Sequence, residues 1–315
     1  MRRRLLAPAA VATALLGGAL APSGADAALV VLRGGDPGGA GRIEVGRDDG
    51  TGRRAIARGE DLLQSPNGRL VAYSTGGRVA VADVATRRVT TLTDGRPVAW
   101  RPDGTALAVD TGMRLVVTDL RGRLRRVGTC GEDGCGQAVF SPDGHQLAQV
   151  SGGRLAQVDI VITDLRTGAA TRPRFSGRPT YTPLWGSTGL ALALDAASRD
   201  AASRPVVSVW DGKSAGFRAL RGRVGEPVAF GAGGLLVAVP RGLSGFEPVL
   251  VDPRTGSTRR PVGRGRWWQE VTDLRRDGRA VLVVDHGRAV QISVASGATR
   301  VLATGGVRYA EWSER

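Results

Sequence analysis

Phe140-Ser141-Pro142-Asp143-Gly144-His145-Gln146-Leu147-Ala148 is the stretch that decides the fold. Pro142 pre-sets φ for a turn, Asp143 can bond its own backbone and Gly144 accepts positive φ. A strand ending at Phe140 therefore returns as residues 146–150. The same stretch recurs in better or worse copies. At the position of Ser141 the copies carry Ser65, Arg101, Gly186, Gly231, Arg275 and Ser313, spaced 36 to 45 residues apart. A repeat of about 40 to 45 residues with strand-like content is the signature of a propeller blade. The preceding residue is large in six copies, Trp100, Phe140, Trp185, Phe230, Leu274 and Trp312, with Gln64 the exception. A ring there is expected to wedge between blades rather than to touch a ligand.

Each repeat has one internal grammar. Residues 69–75, 78–83 and 88–93 read as strands, and with the strand before the anchor they make four antiparallel strands per unit. Asp164 and Asp252 each precede x-x-Thr-Gly, which is turn chemistry and not a metal site. The two ends share one repeat. Residues 28–32, 42–46 and 54–57 match second, third and fourth strands, and 307–312 match a lone first strand. Their pairing would close the ring and remove both exposed sheet edges. The count gives an all-β propeller of seven blades, with six as the alternative if the degenerate fifth or sixth copy is misread.

The Trp/Phe-Ser-Pro-Asp-Gly-x-x-Leu-Ala pattern followed by Asp-x-x-Thr-Gly resembles the TolB-type, WD-like propeller repeats. The likeness is good at residues 65–73, 100–109 and 140–148. It thins at Trp185, Phe230 and Leu274, where the Pro-Asp pair is missing. The resemblance implies a propeller that serves as a binding platform in the cell envelope or outside it. The chain departs from full-length TolB proteins by lacking an extra amino-terminal domain, which argues against a Tol-Pal role.

Residues 1–27 read as a cleaved secretory signal. Arg2, Arg3 and Arg4 form the basic region, residues 5–20 the apolar stretch and Ala25-Asp26-Ala27 the cleavage site. Residues 28–315 then form one propeller domain, secreted to the periplasm or the cell exterior. The formal charge of +15 falls to +13 on cleavage. Lys213 is the only lysine, and the arginines are spread over every repeat. That distribution argues against dedicated nucleic-acid binding and leaves attraction to acidic wall polymers as an alternative.

Strand order sorts the loops onto two faces. The variable ones fall on the face of the second-to-third and inter-blade connections: 129–136, 151–157, 195–205, 241–248 and 262–270. Loops on a rigid scaffold are where binding residues sit. Arg264, Arg266, Trp267 and Trp268 are the leading partner-binding candidates, able to stack on a sugar or clamp an acidic or aromatic partner. Phe246 and Glu247 come next. Cys130 and Cys135 are expected to form a disulfide in an exported chain.

Catalytic signatures are scarce. His145 and His286 fall on opposite faces, and no nucleophile elbow, zinc-protease or phosphate-loop motif occurs. Glu132, Asp133, Asp200, Glu247 and Glu270 lie on the variable face and leave a carboxylate-pair hydrolase as the alternative. The leading expectation is a monomeric, non-catalytic scaffold without cofactor that binds an envelope protein or a cell-wall glycan. A structural cell-wall protein held by its charge is the third reading.

Overall fold

The computed structural model describes residues 29–34, 39–129, 137–151, 159–175, 177–179, 183–195, 206–232, 234–240, 245–263, 266, 268–275 and 277–312. These residues contain strands and no helix. The strands group into four-stranded antiparallel units. Arg96–Trp100, Ala106–Asp110, Arg114–Asp119 and Leu124–Thr129 make one such blade, each strand paired to the next. Numbered from the unit that holds the amino-terminal strand, this is blade 3.

Blades 1 and 2 are joined by one long strand, Arg54–Gln64. Its first half pairs with Gly41–Gly46 and its second half with Leu70–Thr75. Blade 1 is completed across the chain ends, since Leu29–Arg33 pairs with Val307–Trp312, with Leu29 opposite Trp312 and Val31 opposite Ala310. Each end thereby covers the other's open edge. The innermost strands succeed one another in contact around the axis: Val307–Trp312, Arg54–Gln64, Arg96–Trp100, Ala138–Phe140, Leu184–Gly186, Glu226–Gly231 and Glu270–Leu274, which returns to Val307–Trp312.

The turns form as the residue types dictate. In the Ser141 copy, Gly144 N donates to Ser141 O at 2.8 Å, the Ser141 hydroxyl donates to Asp143 Oδ1 at 2.5 Å, and Gln146 N donates to Ser141 Oγ at 2.9 Å. Gly144 sits at φ +69°. Where arginine replaces serine, at Arg275, its guanidinium takes over and grips Asp277 at 3.0 and 2.8 Å. The fifth and sixth copies differ in length. Trp185 faces Leu190 and Phe230 faces Leu235, whereas Phe140 faces Leu147 and Leu274 faces Val281, so the turn is two residues shorter in the fifth and sixth copies only.

The core is a ring of layers between blades. Trp100 packs with Ala72, Val79 and Val81 of the preceding blade, and Trp312 packs with Ala280, Leu282 and Val284 of its own predecessor. Trp100 also donates its indole hydrogen to Leu63 O, 3.1 Å away. Gln64, in the same position, is buried without a ring.

Candidate functional site

The two loop segments singled out in the sequence meet. The connection from blade 6 to blade 7 turns at Gly263, where Arg266 N donates to Gly263 O at 3.2 Å. Trp268 then pairs with Phe246, the first residue of strand Phe246–Val251. Phe246 N donates to Trp268 O at 2.8 Å and Trp268 N to Phe246 O at 3.0 Å. Two reciprocal bonds hold the connection down on blade 6, and Trp268 is driven into the seam beside Val262, Val290 and Ile292. It is 7% exposed, as is Glu247 next to Phe246. Trp267, Arg264, Cys130 and Cys135 lie outside the described residues.

A cavity of about 510 Å³ opens along this seam. Trp268 and Arg266 line it from the connection, and Val290, Thr299 and Val301 line it from the two outer strands of blade 7. Its remaining lining residues are Asp285 and Arg288, which flank the hairpin turn at His286. Asp285 is fully engaged there: Oδ1 meets His286 Nδ1 at 2.9 Å and Oδ2 accepts from Arg288 Nη2 at 3.1 Å. His286 N donates to Gln269 Oε1 at 2.7 Å, tying the connection to the turn. His286 itself holds φ +48°, a conformation that glycine occupies at the matching Gly76 of blade 2.

Near the axis, three neighbouring inner strands carry acid. Glu270 opens the inner strand of blade 7, and Glu226 opens that of blade 6. Glu270 is exposed at this rim, yet surrounding protein raises its carboxyl above the usual range, and the Glu226 charge adds to the effect. Deeper, Asp273 Oδ2 accepts from Trp312 N at 2.8 Å and Glu311 Oε2 from Gln64 N at 3.3 Å, so these two carboxylates staple blade 7 to blade 1 and blade 1 to blade 2. Burial, and then the charges of Glu311, Asp273 and Glu270, push the Tyr309 hydroxyl well up. Among the described residues no three His, Cys, Asp or Glu side chains are placed to hold a metal ion. Glu132, Asp133 and Asp200 fall outside the described residues.

The aspartates read as turn residues occupy turns. Asp164 Oδ1 accepts from the backbone of Arg166 at 2.9 Å and of Thr167 at 2.7 Å, and Asp252 repeats the pattern with Arg254 and Thr255. His145 follows a first-to-second turn and His286 sits in a second-to-third turn, which antiparallel strands place at opposite ends. Of the residues singled out in the sequence, the structure brings Arg266, Trp268 and Phe246 together, and the first two line the groove. Asp285, Arg288 and Val301, which the sequence did not single out, reach the groove through blade packing. The one local signal was histidine where another copy has glycine.

The fold defines the class: an all-β propeller of the TolB-type, WD-like kind. Similar solved structures include TolB from Acinetobacter baumannii, at 14% identity over 90% of this chain and 82% of that one, with a TM-score of 0.53. The β-propeller domain of Cps50 (Swd1) from Myceliophteria thermophila matches at 15% identity over 81% and 90%, TM-score 0.57. A prolyl endopeptidase matches at 12% identity over 91% of this chain and 50% of its own, TM-score 0.62, so the chain spans half the length of that enzyme. No protein-family model matches the chain, and no curated protein does. The neighbours include enzymes and non-enzymes alike, and at these identities the likeness is one of fold.

Proposed function

We propose that the chain is a secreted, non-catalytic propeller scaffold that binds a protein or glycan partner of the cell envelope through its variable-loop face. Residues 1–27 act as the leader and residues 28–315 as a single monomeric domain, with Cys130 and Cys135 bridged in the exported form. The observation that carries this reading is the seam between blades 6 and 7. There Arg266 and Trp268 line an open cavity, and Trp268 is locked to Phe246 on the face of the inter-blade connections. Rigid presentation of an aromatic and a cation on a loop face is the recipe of a recognition site.

The test is capture of envelope proteins and wall polysaccharides by residues 28–315 at low and high salt. Capture that survives high salt and is lost in the Trp267→Ala, Trp268→Ala double variant supports the reading. Retention that vanishes with salt would leave a scaffold held by charge alone. Glu270 supports a second reading. A carboxyl raised by the protein around it and by a neighbouring Glu226 would suit the general-acid half of a glycan-processing pair. Hydrolysis of a wall glycan that is abolished in Glu270→Gln would replace the first reading with this one.

A further inference from the structure

We propose that the groove between the blade 6–7 connection and the outer strands of blade 7 binds a carboxylate carried on an aliphatic body, an inference that rests on this face being the recognition face. Its hydrogen-bonding inventory leans to donors, with the Thr299 hydroxyl the one group that both donates and accepts. Arg266 and Arg288 only donate, and so does the Trp268 indole, whose buried Nε1 meets no acceptor among the described residues. The single carboxylate in the lining, Asp285, is occupied on both oxygens by His286 and Arg288. Arg266 is exposed and enters no ion pair among the described residues. A ligand must therefore supply acceptors, and an anion supplies the strongest ones.

The opposite wall is apolar apart from Thr299. Val290 is buried at its base, and Val301 leaves 48% of its surface open, among the largest exposures of any bulky apolar side chain described. A sugar acid would set hydroxyls against these valines, whereas an aliphatic body covers them. The cavity volume of about 510 Å³ suits a ligand of a few residues or a small acid.

Isothermal titration of residues 28–315 with N-acetyl-leucine, N-acetyl-leucinamide and glucuronate separates these requirements. The expected order is binding of N-acetyl-leucine, with at least tenfold weaker binding of the neutral amide and of glucuronate. Arg266→Gln should weaken N-acetyl-leucine at least tenfold while leaving the melting temperature unchanged, since Arg266 is exposed. Acetyl-alanyl-alanyl-leucine distinguishes the source: tighter binding assigns a peptide chain end, and equal binding a free acid. The proposal is overturned if the amide or glucuronate binds as well as N-acetyl-leucine, if none binds at 10 mM, a screening ceiling of roughly the weakest useful affinity, or if Arg266→Gln changes nothing. Envelope capture that persists without acid binding would sink this inference and leave the recognition face standing.

Discussion

At the scale of single residues, two glycines with similar sequence roles carry different constraints. A Cβ on Gly144 would stand 2.9 Å from Arg101 Nε, the far end of a side chain that can swing away, so only the φ of +69° remains as a penalty. A Cβ on Gly189 would stand 2.1 Å from the carbonyl oxygen of Trp210, which belongs to a paired strand and cannot move. Gly144→Ala is expected to cost about 1 kcal/mol, the ordinary left-handed penalty. Gly189→Ala should cost about 3 kcal/mol or more because backbone must shift. Urea unfolding of both variants checks the order, and equal losses would contradict it. Glu270 yields a prediction of opposite sign. Its carboxyl is raised in the folded chain, so the folded state holds the proton more tightly. The penalty is absent below the usual glutamate range and grows as pH rises through and above it. Glu270→Gln should therefore raise Tm at pH 7, and the gain should disappear by about pH 4.

At the scale of elements, the turns and the wedges do separate work. Asp211 accepts from the backbones of Ser214 and Lys213, which lowers its carboxyl to about 2, and backbone donors likewise lower Asp83 and Asp164. Folded chain binds these protons more weakly than unfolded chain, so the stabilisation is complete above about pH 4 and is lost as pH falls through the folded values towards 2. An acid melt should steepen across that window, and Asp211→Asn should flatten part of it. The wedges act by burial. Trp100→Ala removes a buried ring and its bond to Leu63 O, at about 3 to 5 kcal/mol, while Trp100→Phe keeps most of the layer and costs about 1 to 2 kcal/mol. These elements were legible in the chain because turn chemistry is local: Pro142, Asp143 and Gly144 act on neighbours within the same six residues. The groove was only half legible. Trp268 and Arg266 announce themselves by composition, but Val301 becomes a lining residue only when the last strand of blade 7 folds beside a connection more than thirty residues earlier. Nothing in a one-dimensional pattern marks that meeting. The shortened turns at Gly186 and Gly231 explain why the repeat fades there: a two-residue hairpin has no place for Pro-Asp.

At the scale of the whole molecule, the closing strand has the largest mechanical consequence. Residues 307–312 are held on one side by Leu29–Arg33 through an antiparallel ladder whose register shifts once, at Leu32/Arg33, and on the axis side by the inner strand of blade 7. They also bring Glu311 to Gln64 N and Trp312 to Asp273, the two staples that join blades 7, 1 and 2. Leu29, Val30 and Val31 are fully buried beneath this contact. Removing residues 306–315 would open a strand edge flanked by bulky apolar side chains, the arrangement most prone to edge-to-edge association. The truncated chain is expected to aggregate or to melt at least about 15 °C lower with a broadened transition, because two inter-blade layers lose a wall at once. A circular permutant supplies the control. Its original ends are joined by a short glycine linker and new ends are cut at Met113, a turn residue 79% exposed. Since it keeps every strand pair, it should melt within a few degrees of the parent. If the truncated chain melts like the permutant, the terminal strand is an ornament on a blade that stands without it, and ring closure contributes little to stability.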